Sequence, residues 1–172
     1  MSKIVMIVAQ NGFRDEEFLV PKEAFERAGH KITVASLTRT KATGAKGLVL
    51  QPDMAVYEPN PDFFDAFVVV GGPGSMVLAQ SSDVINLLYA ANQKGKVIGG
   101  ICMGVASLAS AGILANREVT AFPDRGLILS LREHGARYKP ESCVIDGHIV
   151  TADGPMSAAK FGEAIVEMLK AK

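Results

Sequence analysis

The chain has 172 residues, enough for one full hydrophobic core, and its 18 basic and 18 acidic side chains leave no net charge. That balance gives no basic face for nucleic acid, the absence of tryptophan gives no stacking platform for bases, and no apolar run approaches the ~18 residues of a membrane span. Two widely separated cysteines, Cys102 and Cys143, and an N-terminus without signal-peptide anatomy lead to the expectation of reduced thiols in a cytoplasmic protein.

In chain order, Ile4 to Ala9 is a continuous apolar run, as expected of a strand buried on both faces of a parallel sheet. The following loop, from Gln10 to Glu17, has carboxylates where a phosphate-binding loop would have glycines, which argues against a nucleotide site. A helix is predicted through Phe18, Ala24, Phe25 and Ala28, ending at Gly29, and a strand over Lys31 to Ser36. Gly47 to Leu50 reads as a short strand, and Pro52, Pro59 and Pro61 mark irregular chain. Ala66 to Val70 is the next buried strand, closed by Gly71-Gly72-Pro73-Gly74 and followed by a helix with Val84, Ile85, Leu87, Leu88 and Ala91 on its apolar face.

Val97 to Gly99 leads through Gly100 and Ile101 into Cys102, Met103 and Gly104, and a helix over Val105 to Ala111 follows at once. A strand, a sharp turn and a helix with a nucleophilic side chain between glycines make a nucleophile elbow, here with sulfur in place of a hydroxyl. The alternative is a small buried cysteine before a core helix. Cys102 at a helix N-terminus should have its pKa lowered below the free value of ~8.5. Beyond the elbow, Glu118 to Thr120 is strand-like, Leu127 to Glu133 helical, and Ser142 to Ile145 should pair across Asp146-Gly147 with Ile149 to Ala152. A final helix carries Phe161, Ile165, Val166 and Leu169.

Alternating strands and helices predict an α/β sandwich with a mostly parallel sheet, in one domain over residues 1–172. The loops after Ala9, Val70 and Gly99 should then meet at the carboxyl ends of the strands, bringing together Glu16-Glu17, Gly71-Gly72 and Cys102. Glu17 has two readings, a partner of the thiol or a surface acid in the first turn of a helix. As the thiol's partner it would face like charge, so one of the two groups should stay protonated. Asp15 and Glu16 are expected in solvent. Gly72 is either an oxyanion donor or a plain turn glycine. Cys143 is read as structural, and His30, His134 and His148 as surface residues. Cys143 and His148 lack a second pair at metal-binding spacing, so no metal is expected, and no cofactor is implied.

The acidic turn with Glu17 four residues before Pro21, the run Ala28 to Ala35, Val70-Gly71-Gly72 and Gly100-Ile101-Cys102-Met103-Gly104 together resemble the ThiJ/PfpI superfamily. The segments Val144 to Gly147, Thr151 to Pro155 and Glu163 to Glu167 resemble its deglycase branch. The resemblance implies a flavodoxin-like three-layer sandwich, Cys102 as nucleophile or redox-sensitive thiol, Glu17 as its carboxyl partner, and the amides of Gly72 and Met103 as an oxyanion hole. It also implies a homodimer. Three positions depart from the pattern: Met103 stands where the peptidase branch has histidine, Met76 where that branch has a glutamate supplied across a subunit interface, and Phe122 where the deglycase branch often has histidine before Pro123. Peptidase activity is therefore not expected, and an amidotransferase is excluded because His148 is followed by Ile149 and Val150 rather than His-x-Glu. Two readings stay open. One is a cysteine-dependent glyoxalase or deglycase acting on small α-oxoaldehydes or their adducts, with Glu17 moving protons. The other is a redox-sensing or chaperone-like stress protein whose Cys102 is oxidised rather than turned over.

Overall fold

A computed structural model describes all residues from Met1 to Lys172. The central sheet is built from β1 (Lys3–Ile7), β2 (Lys31–Ser36), β3 (Met54–Ala55), β4 (Ala66–Val69), β5 (Val97–Ile101), β6 (Cys143–Asp146) and β7 (Ile149–Ala152). They lie in the order β6-β7-β5-β4-β1-β2-β3, parallel throughout except for the β6–β7 hairpin at one edge. The apolar runs behave as their composition requires. Every residue of β4 and β5, and of β1 after Lys3, is buried, because helices cover both faces of the sheet.

The helices are α1 (Asp15–Arg27), α2 (Met76–Ala79), α3 (Ser82–Gln93), α4 (Val105–Ser110), α5 (Arg125–Glu133) and α6 (Ala158–Lys170). Two adjacent glycines in β5 show how closely the layers approach. Successive strand residues point to opposite faces. A side chain at Gly99 would meet Ile165 Cδ1 at 2.8 Å and Phe161 Cζ at 2.9 Å, both on α6, whereas one at Gly100 would meet Leu108 of α4 at 3.1 Å. Helices from either side are thus seated directly on the backbone of β5, and α1 packs beside α6 on the Gly99 face. The resulting core contains 49 buried residues in one contiguous cluster.

The flanking elements differ from expectation in a few places. Met54–Ala55, inside the proline-marked stretch, pairs with β2 as the edge strand. A separate three-stranded sheet joins Asn11–Phe13, Ala42–Gly44 and Val49–Leu50, and Glu118–Val119 pairs with Arg137–Tyr138. Val49–Leu50 and Glu118–Val119 fall within the expected strands Gly47 to Leu50 and Glu118 to Thr120, whereas the others, two or three residues long, are too short for a periodic signal and are determined by tertiary packing. No helix is long and apolar enough to cross a membrane.

The close contact at Gly99 gives a packing test. Gly99→Ala should lower stability to urea by about 1–3 kcal/mol, as overpacked cores do. Adding Ile165→Val, which removes the obstructing Cδ1, should recover part of the loss. Simple additivity of the two losses would contradict the contact.

Candidate active site

The chain leaves β1 and turns to β2 on one side, and β4 lies on the other side of β1. Such a reversal of strand order opens a crevice at the carboxyl ends of the strands. Three connections meet there: the start of α1 after β1, the Gly71–Gly72 turn after β4, and the turn after β5.

The turn after β5 is a nucleophile elbow in backbone terms. Cys102 has φ of +60°, one of two non-glycine residues with positive φ, and a single 3-10 turn over Cys102–Gly104 connects it to α4. A left-handed conformation costs a residue with a Cβ about 1–2 kcal/mol. The tight packing on both sides holds it: a side chain at Gly104 would lie 2.6 Å from the Val69 carbonyl oxygen.

Glu17 comes from the first turn of α1, where Asp15, Glu16 and Glu17 all complement the positive end of the helix. Pro21, four residues on, has no N–H to donate to the Glu17 carbonyl, so that helical hydrogen bond is missing at the turn that carries the acid. The three acids then diverge. Asp15 is buried and accepts from the backbone amides of Lys46 (3.2 Å) and Leu48 (3.0 Å), fixing a loop remote in sequence. Glu16 is half-buried and paired with Lys46 Nζ at 3.3 Å. Both depart from the expectation of solvated side chains. Glu17 has no exposed surface and points at the elbow.

Gly71 makes this meeting possible. A Cβ there would lie 2.5 Å from Glu17 Oε1 and 2.8 Å from Cys102 Cβ, so the space between acid and thiol is space that a side chain would occupy. Gly72, at φ +114°, is pressed against the Gly12–Arg14 backbone, and its carbonyl accepts from Ser75 Oγ at 2.7 Å. The Arg14 amide donates to the Gly71 carbonyl at 2.8 Å, clamping the start of α1 to the glycine turn. The Gly72 amide donates no hydrogen bond within the chain, and the Met103 amide points at the Cys102 sulfur. The turn reading and the donor reading of Gly72 are thus both compatible with the geometry.

The electrostatics reverse one expectation. Cys102 is only 2% exposed, and burial, followed by the Glu17 charge, pushes its thiol up to about 12 in spite of the Met103 amide. The helix end was expected to lower it, but α4 has only six residues behind a 3-10 turn and offers little dipole against that desolvation. Burial also raises Glu17, to about 7, against the lowering effects of the Cys102 sulfur, the Arg14 charge and the Gly71 amide. Neither Glu17 oxygen makes a fully formed hydrogen bond in the resting site. The two groups titrate as a pair: one proton leaves near neutrality and the second only in strong base.

Arg14 was not singled out by its sequence context. It is half-buried at the N-terminus of α1, one turn before Glu17, and its charge acts on both Glu17 and Cys102. The histidines lie elsewhere. His30 Nδ1 accepts from the Ser2 amide at 3.0 Å, His134 Nδ1 meets the Ser130 carbonyl at 2.8 Å, and His148 Nε2 meets Asn92 Oδ1 at 2.6 Å. His30 and His148 are half-buried rather than at the surface. Phe122 is 41% exposed. Cys143 pairs in register with Ala152, which in turn pairs with Ile101 beside the elbow. Two strand spacings, ~9–10 Å, separate those backbones, beyond the ~7 Å limit for a disulfide. No group of three His, Cys, Asp or Glu side chains is gathered for a metal ion. None of the chain's four cavities has Cys102 or Glu17 in its wall.

The raised Glu17 pKa fixes a pH dependence. The folded state holds the Glu17 proton up to about 7, whereas the unfolded chain releases it near 4.5. Between these values the native state binds more protons, so the stability present below 4.5 is lost as pH rises toward 7, on the order of 2–3 kcal/mol. Glu17→Gln, which stays neutral, should therefore be more stable than wild type at pH 8 and lose that advantage near pH 4.5. Parallel pH–stability curves for the two proteins would overturn this assignment.

Comparison with known proteins identifies the family. Residues 2–168 match the model of the DJ-1/PfpI family. An uncharacterised protein of Methanocaldococcus jannaschii is 37% identical over 99% of this chain and 82% of its own length. A protein named deglycase in Pyrococcus abyssi is 30% identical over 96% of this chain and 99% of its own length. One named glutathione-independent glyoxalase in Caenorhabditis elegans is 30% identical over 90% and 81%, respectively. Among solved structures, a ThiJ/PfpI domain protein from Brachyspira murdochii superposes with a TM-score of 0.94 at 32% identity, covering 99% of this chain and 97% of that one. With its elbow cysteine and buried glutamate at the carboxyl edge of a mostly parallel sheet, the chain belongs to the DJ-1/PfpI family.

Proposed function

We propose that the protein is a cysteine-dependent glyoxalase or deglycase acting on small α-oxoaldehydes such as methylglyoxal, or on their early adducts with thiols and amines. The observation that carries this reading is Glu17, buried against Cys102 and titrating near neutrality. A general acid–base with a pKa near the working pH can both take and return a proton.

The reaction begins with the Cys102 thiol adding to the aldehyde carbon. The sulfur–carbon bond forms, the Cys102 proton passes to the Glu17 carboxylate and on to the aldehyde oxygen, and a hemithioacetal results. Glu17 carboxylate then removes the hydrogen from that carbon to leave an enediolate, the hydroxyl proton on the former aldehyde oxygen passes to the former keto oxygen, and Glu17 returns its proton to the neighbouring carbon. The product is a thioester of a 2-hydroxy acid, which water hydrolyses to release the acid and restore the thiol. The amides of Gly72 and Met103 would stabilise the oxygen that becomes negative, a role typically worth ~3–4 kcal/mol per donor. The thiol's high pKa suits this sequence, because sulfur is activated only as its proton moves to Glu17. The deglycase and glyoxalase names of relatives support the same chemistry. A homodimer fits the family and is proposed with it.

Cys102→Ala should abolish methylglyoxal consumption and hydroxy-acid formation. Glu17→Gln should lower the rate by about 10²–10⁴-fold, the usual range for loss of a general acid–base, and remove the wild-type inflection near pH 7. Aldehyde consumption that survives in Cys102→Ala, or a wild type that is oxidised at Cys102 but never turns over aldehyde, would favour the redox-sensing reading instead.

A further inference from the structure

Arg14 stands apart from the other charged residues around the site. Its Nε is buried without an acceptor, and none of the chain's ion pairs includes it. A buried N–H without a partner is costly and rare in native structures, so its retention needs a reason. The nearby acids do not supply one. Asp15 is turned inward onto the amides of Lys46 and Leu48, Glu16 is held by Lys46 Nζ, and Glu17 is not ion-paired to Arg14.

Arg14 is nevertheless rigidly placed. Its amide is bonded to the Gly71 carbonyl at 2.8 Å, its carbonyl accepts from the Glu17 amide at 3.1 Å, and Gly71 is the residue wedged between Glu17 and Cys102. Arg14 is the extended N-cap of α1, three residues before Glu17, and its charge acts on both Glu17 and Cys102. A guanidinium on a fixed backbone, its charge felt at the nucleophile and its donor fork unspent, matches a planar carboxylate.

We propose that Arg14 makes the approach to Cys102 anion-selective, so that the substrates taken are α-oxoaldehydes carrying a carboxylate beyond the keto carbon. This rests on the glyoxalase reading for the word substrate, but not for the selection of anions. The carbonyl pair sits at Cys102 and Glu17, and the carboxylate lies on the guanidinium. The acidic sequence of the loop conceals this preference, because two of its three carboxylates are already occupied.

Two measurements test it. The first needs no turnover: alkylation of Cys102, followed by peptide mass spectrometry, with anionic iodoacetate and neutral iodoacetamide. The wild-type ratio of iodoacetate to iodoacetamide rates should exceed that of glutathione. It should fall by about fivefold in Arg14→Gln and be largely retained in Arg14→Lys. The second compares kcat/KM for 4,5-dioxopentanoate and its neutral analogue 2-oxopentanal. Arg14→Gln should lose about tenfold or more on the anionic substrate and less than about threefold on the neutral one. A changed alkylation ratio without turnover of either dicarbonyl would refute the glyoxalase reading and leave anion selection standing. If Arg14→Gln slows both alkylating reagents equally, the guanidinium serves only the Glu17–Cys102 pair and the proposal is wrong. A wild-type ratio no higher than that of glutathione overturns it without any variant, should Arg14→Gln fail to fold.

Discussion

Two acidic groups placed in contact away from water cannot both ionise, and this constraint organises the site. Glu17 and Cys102 share the space left by the missing side chain of Gly71, and burial raises both pKa values. Ionisation of one makes ionisation of the other harder, so the pair carries no more than one negative charge over the neutral range, gained as pH rises through about 7. That arrangement opposes folding by a few kcal/mol above neutrality. It persists because the surrounding structure determines it: α6 and α4 press on β5 from both faces, the elbow is locked in a left-handed conformation, and Arg14 ties α1 to the glycine turn.

The large elements were legible because their signals are long. The apolar runs of β1, β4 and β5 mark strands covered on both faces, and the glycines flanking Cys102 mark the elbow. Met54–Ala55 was illegible, as two residues carry no period and Pro52 lies just before them. Within the site, the three acids Asp15, Glu16 and Glu17 look alike in sequence. Their fates depend on partners far along the chain: two amides near residue 47 for Asp15, an ammonium for Glu16, a thiol for Glu17. Only the family resemblance separated Glu17 from its neighbours in advance, and nothing singled out Arg14.

The Cys102 pKa shows how a local rule loses to depth. A helix N-terminus does favour thiolate, and the Met103 amide contributes in that direction. The rule presumes a helix long enough to build a dipole and a thiol that touches water. Here the helix is six residues long and the sulfur is 2% exposed, so desolvation outweighs it. The site therefore keeps a thiol at rest, and in the proposed reaction the neighbouring carboxylate takes its proton.

The missing histidine follows from the same physics. A thiol–histidine pair needs a second base nearby, and Met103 and Phe122 leave neither family position able to supply one. A buried carboxyl shifted to about 7 occupies the pKa range that an imidazole would otherwise fill. Unlike an imidazole, it exchanges neutral for negative, so its ionised form repels thiolate. That repulsion would penalise a reaction requiring free thiolate, such as attack on peroxide, more than one in which the thiol proton moves as the sulfur–carbon bond forms. In the proposed carbonyl addition the negative charge would pass from Glu17 to the substrate oxygen, and thiolate and carboxylate need never coexist. That is the physical ground on which aldehyde turnover is proposed ahead of oxidation as the use of Cys102.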